Sequence, residues 1–190
     1  AAALFLLYAL FAKLGDGLYA YQVAATLFAA GTAWVIACIA RRWVSDRAAI
    51  CAGLLYLPAL HLTGGDGGQS PVFYNLLMAL AGLFVLRVLE GRSVKQGLLW
   101  GGAAMLMAGL ALQIKYSAVF EGVFFGLVLM AWLWRQRGRF LEVLGAGAGW
   151  ALIALVPTLV ALLIYVATGR SDDFVYANFI SIFERDPSPA

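Results

Sequence analysis

Long apolar stretches make up most of this chain, and short segments rich in charged residues, glycine and proline separate them. Most stretches approach or exceed the roughly 20 residues that a helix needs to cross a bilayer. None alternates with the period of two that is typical of a membrane β-strand. The pattern predicts an all-α, polytopic membrane protein with about six transmembrane helices plus interfacial helices. The predicted spans lie near residues 18–40, 48–63, 72–89, 97–113, 118–134 and 143–167.

The two ends of the chain differ from these spans. Residues 1–12 are apolar but short, without a basic segment before them, so we expect an interfacial or truncated helix and not a signal peptide. We expect this helix to continue from a segment upstream of Ala1. Residues 169–190 are predicted to form an amphipathic helix and tail on the outer face, because aromatic residues favour the membrane–water boundary. Residues 1–168 form the predicted transmembrane core.

Composition supports a membrane location. The 190 residues are 64% hydrophobic and 12% charged, which is about half the charged fraction of a soluble domain. A fold of this size cannot hide so much apolar surface in one core and still present a wet exterior. The composition therefore excludes a soluble enzyme, a nucleic-acid-binding protein and a disordered linker. We expect most of the protein surface to contact the lipid bilayer.

Basic residues concentrate in every second loop, and these clusters predict the topology. Because Lys and Arg collect in cytoplasmic loops, we expect these loops in the cytoplasm and the other loops on the outer face of a bacterial-type inner (plasma) membrane. The net charge of +3 then reflects orientation and not nucleic-acid binding. The clusters are Arg41/Arg42/Arg47, Arg87/Arg92/Lys95 and Arg135/Arg137/Arg139.

Two further patterns concern how the helices pack. Glycines spaced four residues apart allow helix backbones to approach closely in lipid. Such pairs occur at Gly97/Gly101, Gly122/Gly126 and Gly145/Gly149. Prolines inside two spans, Pro58 and Pro157, predict a tilted or broken helix end and a kink, respectively.

The remaining unusual polar residues gather on the predicted outer face. Lys115 is a cation at membrane depth, and it either meets an anionic group such as a lipid phosphate or extends to the headgroups. Glu121 lies about one turn into the next span, where we expect an ion pair with Lys115 or with a basic residue outside the fragment. His61 is the only histidine, so we prefer a capping or interfacial role to metal binding or proton transfer. The other candidates in this outer cleft are Asp66, Gln69, Gln113 and Tyr116.

The order of these pieces, together with the short motifs on them, is similar to a known family. One span ends in RRWVSDR (residues 41–47), an outer loop carries Ser-Pro (70–71), and an outer turn carries Gln-Ile-Lys-Tyr (113–116). The outer aromatic helix ends in Phe-Glu-Arg (183–185). Over nearly all of its length the chain resembles the membrane core of C-type-fold glycosyltransferases, in the protein-mannosyltransferase-like branch that includes the aminoarabinose lipid A transferases.

The resemblance implies an enzyme that transfers a sugar from a polyprenyl-phosphate carrier to a glycan, lipid or protein acceptor on the outer (periplasmic) face. It implies lipid-phosphate-binding positions at Lys115 and Arg185. The family's catalytic acid lies in an outer loop upstream of the position of Ala1, so we expect this fragment to be inactive alone. Relatives often carry Asp at the position of Ser70, so a role for this position would require that nearby Asp66 substitutes for it. The resemblance implies no certain cofactor, leaves open a divalent metal in the full-length enzyme, and places no metal ligand in this chain.

Two other classes remain open. A non-catalytic scaffold subunit of a larger membrane complex would need only the helices and their packing. A secondary transporter would need paired broken helices near the middle of the membrane and an internal repeat, and the sequence has neither feature.

Overall fold

The computed structural model describes residues 17–62, 69–91, 93–170, 172 and 176. Within these residues the regular structure is entirely helical, which confirms the predicted all-α fold. Each predicted span falls on one helix. The helices are α1 (Gly17–Ala40), α2 (Asp46–Leu62), α3 (Ser70–Glu90), α4 (Val94–Leu112), α5 (Ala118–Arg137) and α6 (Phe140–Ala167).

Several sequence predictions concern other parts of the chain. The interfacial helix at residues 1–12, the outer loop at 64–68 and most of the amphipathic helix at 171–185 lie outside the described residues. The division into a core of residues 1–168 and a terminal unit of residues 169–190 therefore stays a prediction.

Four helices are long and apolar enough to cross a membrane, namely residues Tyr19–Ala40 of α1 and the whole of α3, α5 and α6. Helix α2 has 17 residues and α4 has 19, with Lys95 and Gln96 at its start, and neither belongs to this set. Helix α4 packs against α3, α5 and α6, so neighbouring helices and not lipid cover much of its surface. These apolar helices make the chain an integral membrane protein.

Both internal prolines lie within continuous helices. Pro58 is inside α2 and Pro157 is inside α6, and each helix continues past its proline. Of the two alternatives predicted for Pro58, the helix is not broken there, since it continues to Leu62; a tilt of α2 and a kink at Pro157 stay predictions. A proline removes one backbone donor from the helix, and both helices continue in spite of this loss.

Two clusters of buried side chains join the helices. The first connects α3, α4, α5 and α6 around Leu129, Trp132 and Trp150. The second connects α1, α3, α4 and the start of α5 around Phe73 and Ala111. Because lipid is as apolar as these side chains, close van der Waals packing holds the helices together more than the hydrophobic effect does. Helix α2 packs mainly against α1 and lies at the edge of the bundle.

The predicted glycine pairs differ in what they contact. A Cβ at Gly97 or Gly101 would overlap the rings of Trp132 and Trp150, so this pair is a site of close packing. Around Gly145 and Gly149, apart from the adjacent residues and backbone of their own helix, no atom of the described residues lies within 4 Å of the position of a Cβ. At Gly122 and Gly126 a Cβ would be in ordinary contact with Ala108 and Met105 of α4. The spacing is the same in all three pairs, and the first two of them face a neighbouring helix.

The two ends of the bundle carry different side chains. At the end where α1, α3 and α5 finish, here called the basic end, Nε of Arg42 lies 2.5 Å from Oε1 of Glu90. The Arg87 guanidinium lies 4.6 Å from the centroid of the Trp100 ring, within cation–π range. The basic end therefore fastens α1 to α3 and α3 to α4. We call the opposite end, at the turn between α4 and α5, the Lys115 end.

Candidate functional site

The turn between α4 and α5 presents Lys115 at the bundle surface. Backbone N–H groups of residues 113–115 donate to carbonyls in the last turn of α4, which closes a tight turn. The Ala118 N–H donates to the Lys115 carbonyl where α5 begins. Ile114 and Ala118 are buried in the second cluster, whereas Lys115 is exposed. Two apolar anchors thus hold the turn and leave the lysine at the surface.

Tyr74 of α3 contacts both charged residues of this region. Nζ of Lys115 lies 5.6 Å from the centroid of the Tyr74 ring, which is within the range of a cation–π contact. The Tyr74 hydroxyl donates a hydrogen bond to Oε2 of Glu121, in the first turn of α5. Only 8% of Tyr74 is exposed, so its packing holds the ring in place. The three residues form a cluster in which the tyrosine connects the lysine to the carboxylate.

Lys115 and Glu121 do not form an ion pair with each other, and the alternative of a pair between Glu121 and a basic residue outside the fragment stays a prediction. The ion pairs among the described residues are Arg41–Asp46, Arg42–Glu90 and Arg139–Glu142. Glu121 accepts its hydrogen bond from Tyr74 instead. A hydrogen bond to an ionised acceptor is a strong one, and a carboxylate in the first turn of a helix is also favoured by the helix dipole. Glu121 therefore has stabilising partners that are not the lysine.

Two more polar contacts lie at the same end of the bundle. Nε2 of Gln113, at the end of α4, donates to Oγ1 of Thr158 on α6 over 2.6 Å. Nδ2 of Asn75 on α3 donates to the Tyr56 hydroxyl on α2 over 3.0 Å. Gln113 is 9% exposed, and a buried amide without a partner would be costly. These pairs fix α4 to α6 and α3 to α2 around the Lys115 turn.

An apolar groove lies between α4, α5 and α6. Its volume is about 360 Å³, and its lining begins at Leu112 and Ala118, three residues on either side of Lys115. On α5 the lining continues to Met130, a rise of about 18 Å along the helix. Val123 and Leu127 form part of its wall and are exposed, so the groove opens at the surface of the bundle. Its floor is made of small residues, among them Ala108, Gly109, Gly122, Gly126, Ala151 and Ala154.

The other candidate residues have the following positions. His61 lies in the last turn of α2, and Gln69 directly precedes α3, without a capping hydrogen bond from its side chain. Tyr116 is next to Lys115 in the turn. Asp66 and Arg185 lie outside the described residues. The structure thus brings Lys115 and Glu121 together through a third residue and directs the Gln113 side chain toward α6.

The described part of the chain has few side chains that could bind a metal ion. There, no three side chains of His, Cys, Asp or Glu lie close enough together to hold a metal ion. The polar groups that do converge are a lysine, a tyrosine and one carboxylate. This arrangement is suited to binding an anion at the lysine, next to a surface that accepts an apolar chain.

Sequence reasoning missed the polar residues that complete the site, namely Tyr74, Asn75 and Thr158. All three lie inside apolar stretches that were interpreted as spans. Tyr74 and Asn75 could have been recognised as candidates for the site, because they are two adjacent polar residues in the first turns of a predicted span. Thr158 carried a weaker one, since it follows the proline inside α6. Which helix each of them contacts depends on the packing.

Comparison with known families identifies the chain. The profile of the family described as dolichyl-phosphate-mannose-protein mannosyltransferase matches residues 2–164, which confirms the resemblance inferred from the sequence. None of the curated proteins and none of the solved structures matches the chain. The family indicates a membrane glycosyltransferase of the mannosyltransferase type. With a family match over most of its length and a bundle of membrane-crossing helices, the chain belongs to the dolichyl-phosphate-mannose-protein mannosyltransferase family.

Proposed function

We propose that this chain is part of a glycosyltransferase that takes a sugar from a polyprenyl-phosphate carrier and transfers it to an acceptor on the outer face of the membrane. Lys115 binds the phosphate of the carrier, and the groove between α4, α5 and α6 receives its apolar chain. The position of Lys115 carries this proposal, because an exposed lysine stands between the two helices on which the apolar groove begins.

The proposed chemistry explains why a cation is needed there. The acceptor hydroxyl oxygen forms a new bond to the anomeric carbon of the sugar, and the bond from that carbon to the phosphate oxygen breaks. The electron pair of that bond stays on the departing polyprenyl phosphate, whose negative charge increases. An ammonium group close to that phosphate stabilises the developing charge. A base takes the proton of the acceptor hydroxyl, and we assign this role to an acidic residue upstream of Ala1.

The distribution of charge supports an outward-facing Lys115 end. The arginines of the basic end fall in the loops that the positive-inside rule assigns to the cytoplasm. Because Lys115 lies at the opposite end of the bundle, it faces the periplasm if the membrane is a bacterial inner membrane. Arg185, for which the family resemblance implies a role at the outer face, is a second candidate for contact with the phosphate.

The test is substitution of Lys115 in the complete protein, with polyprenyl-phosphate mannose as the donor that the family name indicates. We expect Lys115→Ala to lower kcat/KM about 100-fold, the order of loss seen when one group that stabilises a developing charge is removed. Lys115→Arg keeps the charge and should retain part of the activity. The matched control is Lys95→Ala, an exposed lysine at the opposite end of the bundle.

Unchanged binding of a polyprenyl phosphate by the Lys115→Ala protein would contradict the role of the lysine. If instead the unmodified complete protein showed no transfer and bound no polyprenyl phosphate, the alternative of a scaffold subunit would be favoured. Binding is measured alongside turnover because it does not depend on the identity of the sugar.

A further inference from the structure

Tyr74 separates two opposite charges that would otherwise be within reach of each other. Lys115 contacts the face of its ring, and Glu121 accepts from its hydroxyl. Both side chains are long, and both touch the same tyrosine. Without that hydroxyl, the carboxylate would lose its donor, and the lysine ammonium on the same tyrosine ring is a donor that could replace it.

We propose that Tyr74 is a positioning residue that keeps Lys115 available for an anionic ligand by holding Glu121 away from it. This inference rests on the proposed function, in which the ligand is a lipid phosphate. A Lys–Glu ion pair would occupy the donors that the phosphate needs, so the affinity for phosphate would fall. The hydrogen bond from Tyr74 satisfies the carboxylate instead, and the ring face holds the ammonium without occupying its N–H donors in an ion pair.

The packing around Tyr74 suits a positioning role. The residue is buried beside Phe73, Ala111, Ile114 and Ala118 in the second cluster, so the helix contacts that hold the turn also hold the tyrosine. Glu121 lies in the first turn of α5, where the helix dipole favours a negative charge, so its carboxylate is the group that would compete for the lysine. The packed ring of Tyr74 thus contacts the Lys115 ammonium on its face, and its hydroxyl holds the Glu121 carboxylate through a hydrogen bond.

The experiment uses the complete protein in nanodiscs of neutral phosphatidylcholine, and it measures the binding of farnesyl phosphate. Tyr74→Phe keeps the ring and removes only the hydroxyl. We expect it to weaken binding about tenfold, equivalent to about 1.4 kcal/mol. Glu121→Gln alone should change affinity little, because an amide does not compete for the lysine as a carboxylate does. The double variant Tyr74→Phe/Glu121→Gln should restore affinity to within about twofold of the unmodified protein.

The rescue distinguishes positioning from a structural role. If Tyr74 only stabilised the fold, the double variant would bind as weakly as Tyr74→Phe or more weakly, and that result would overturn the inference. Unchanged affinity in Tyr74→Phe would overturn it as well. Farnesol is the control ligand, because it occupies an apolar groove without a charge and should bind all folded variants equally.

Two further arms separate this inference from the proposed function. If Lys115→Ala binds farnesyl phosphate as tightly as the unmodified protein, the lysine is not the phosphate site and both proposals fail. If inorganic phosphate shows the same pattern among the variants and farnesyl phosphate binds no more tightly, the site takes a free anion. Tyr74 then keeps its positioning role, while the lipid carrier is excluded. If Lys115→Ala loses binding and Tyr74→Phe does not, only the inference on Tyr74 fails.

Discussion

Gly109 on α4 lies so close to the main-chain carbonyl of Ala154 on α6 that a Cβ at Gly109 would overlap the carbonyl oxygen. Small residues are what permit two helix backbones to approach in this way. The contact lies about one turn of α6 from Thr158, which holds the Gln113 side chain at the end of α4. Backbone contact between α4 and α6 therefore sets the position from which the Lys115 turn starts.

A methyl group at this contact should destabilise the bundle. We expect Gly109→Ala to lower the free energy of unfolding by about 1–3 kcal/mol, because the two backbones must separate to accommodate it. The matched control is Gly145→Ala on α6, where, apart from the adjacent residues and backbone of its own helix, no atom of the described residues lies within 4 Å of the new Cβ. That variant should be neutral or slightly stabilised, since Ala favours helix. Thermal unfolding in detergent measures the stability of the two variants. Equal shifts in Tm for Gly109→Ala and Gly145→Ala would contradict the prediction.

Filling the groove should reduce activity while leaving the fold intact. Gly126 lines the groove on α5, and a Cβ added there would have the Met105 methyl carbon as its nearest neighbour at 3.8 Å, an ordinary contact. We expect Gly126→Leu to raise the KM for a polyprenyl-phosphate donor about tenfold, because the leucine occupies volume meant for the lipid chain.

Gly149→Leu is the control for that experiment. Gly149 is also half-buried in a helix, it does not line the groove, and it has open space around its Cβ position among the described residues. Its KM should match that of the unmodified protein. A similar rise in KM for both variants would show that the groove is not where the lipid chain binds.

The contact between Arg42 and Glu90 should contribute more to stability than the other ion pair beside it. The Arg42 side chain is 19% exposed and lies 2.5 Å from Glu90, whereas Arg41 and Asp46 are 41% and 82% exposed and 3.3 Å apart. Solvent screens exposed pairs strongly. A double-mutant cycle on thermal unfolding should give a coupling energy of about 1 kcal/mol for Arg42–Glu90 and close to zero for Arg41–Asp46. Equal coupling energies would contradict this difference.

The fold followed from the sequence because its dominant signal is local. Each span is a run of apolar residues bounded by charge, glycine or proline, and a helix satisfies all its backbone hydrogen bonds within that run. The six described helices accordingly lie where the apolar runs lie. The glycine pairs show the limit of such reasoning. Gly97/Gly101 and Gly145/Gly149 have identical spacing, yet only the first pair is packed against tryptophan rings.

The candidate site was predictable only in part. Lys115 stood out because a charge inside an apolar sequence is costly and requires an explanation. The partner of Glu121 could not be recognised in the same way. Lys115 is close to Glu121 in sequence, whereas Tyr74, which donates the hydrogen bond, is 47 residues away along the chain. A long-range contact of this kind depends on which faces of α3 and α5 meet, and no local pattern specifies that.

Sequence alone was enough to establish a helical membrane protein of the mannosyltransferase type, because hydrophobic length and short motifs are properties of single segments. Which polar side chains meet at the Lys115 end, and where the apolar groove lies, depended on the packing of the bundle. Helices in lipid associate through the fit of small and large side chains across several helices at once, and no single segment contains that information. That fit is what brings Tyr74 between the lysine and the carboxylate.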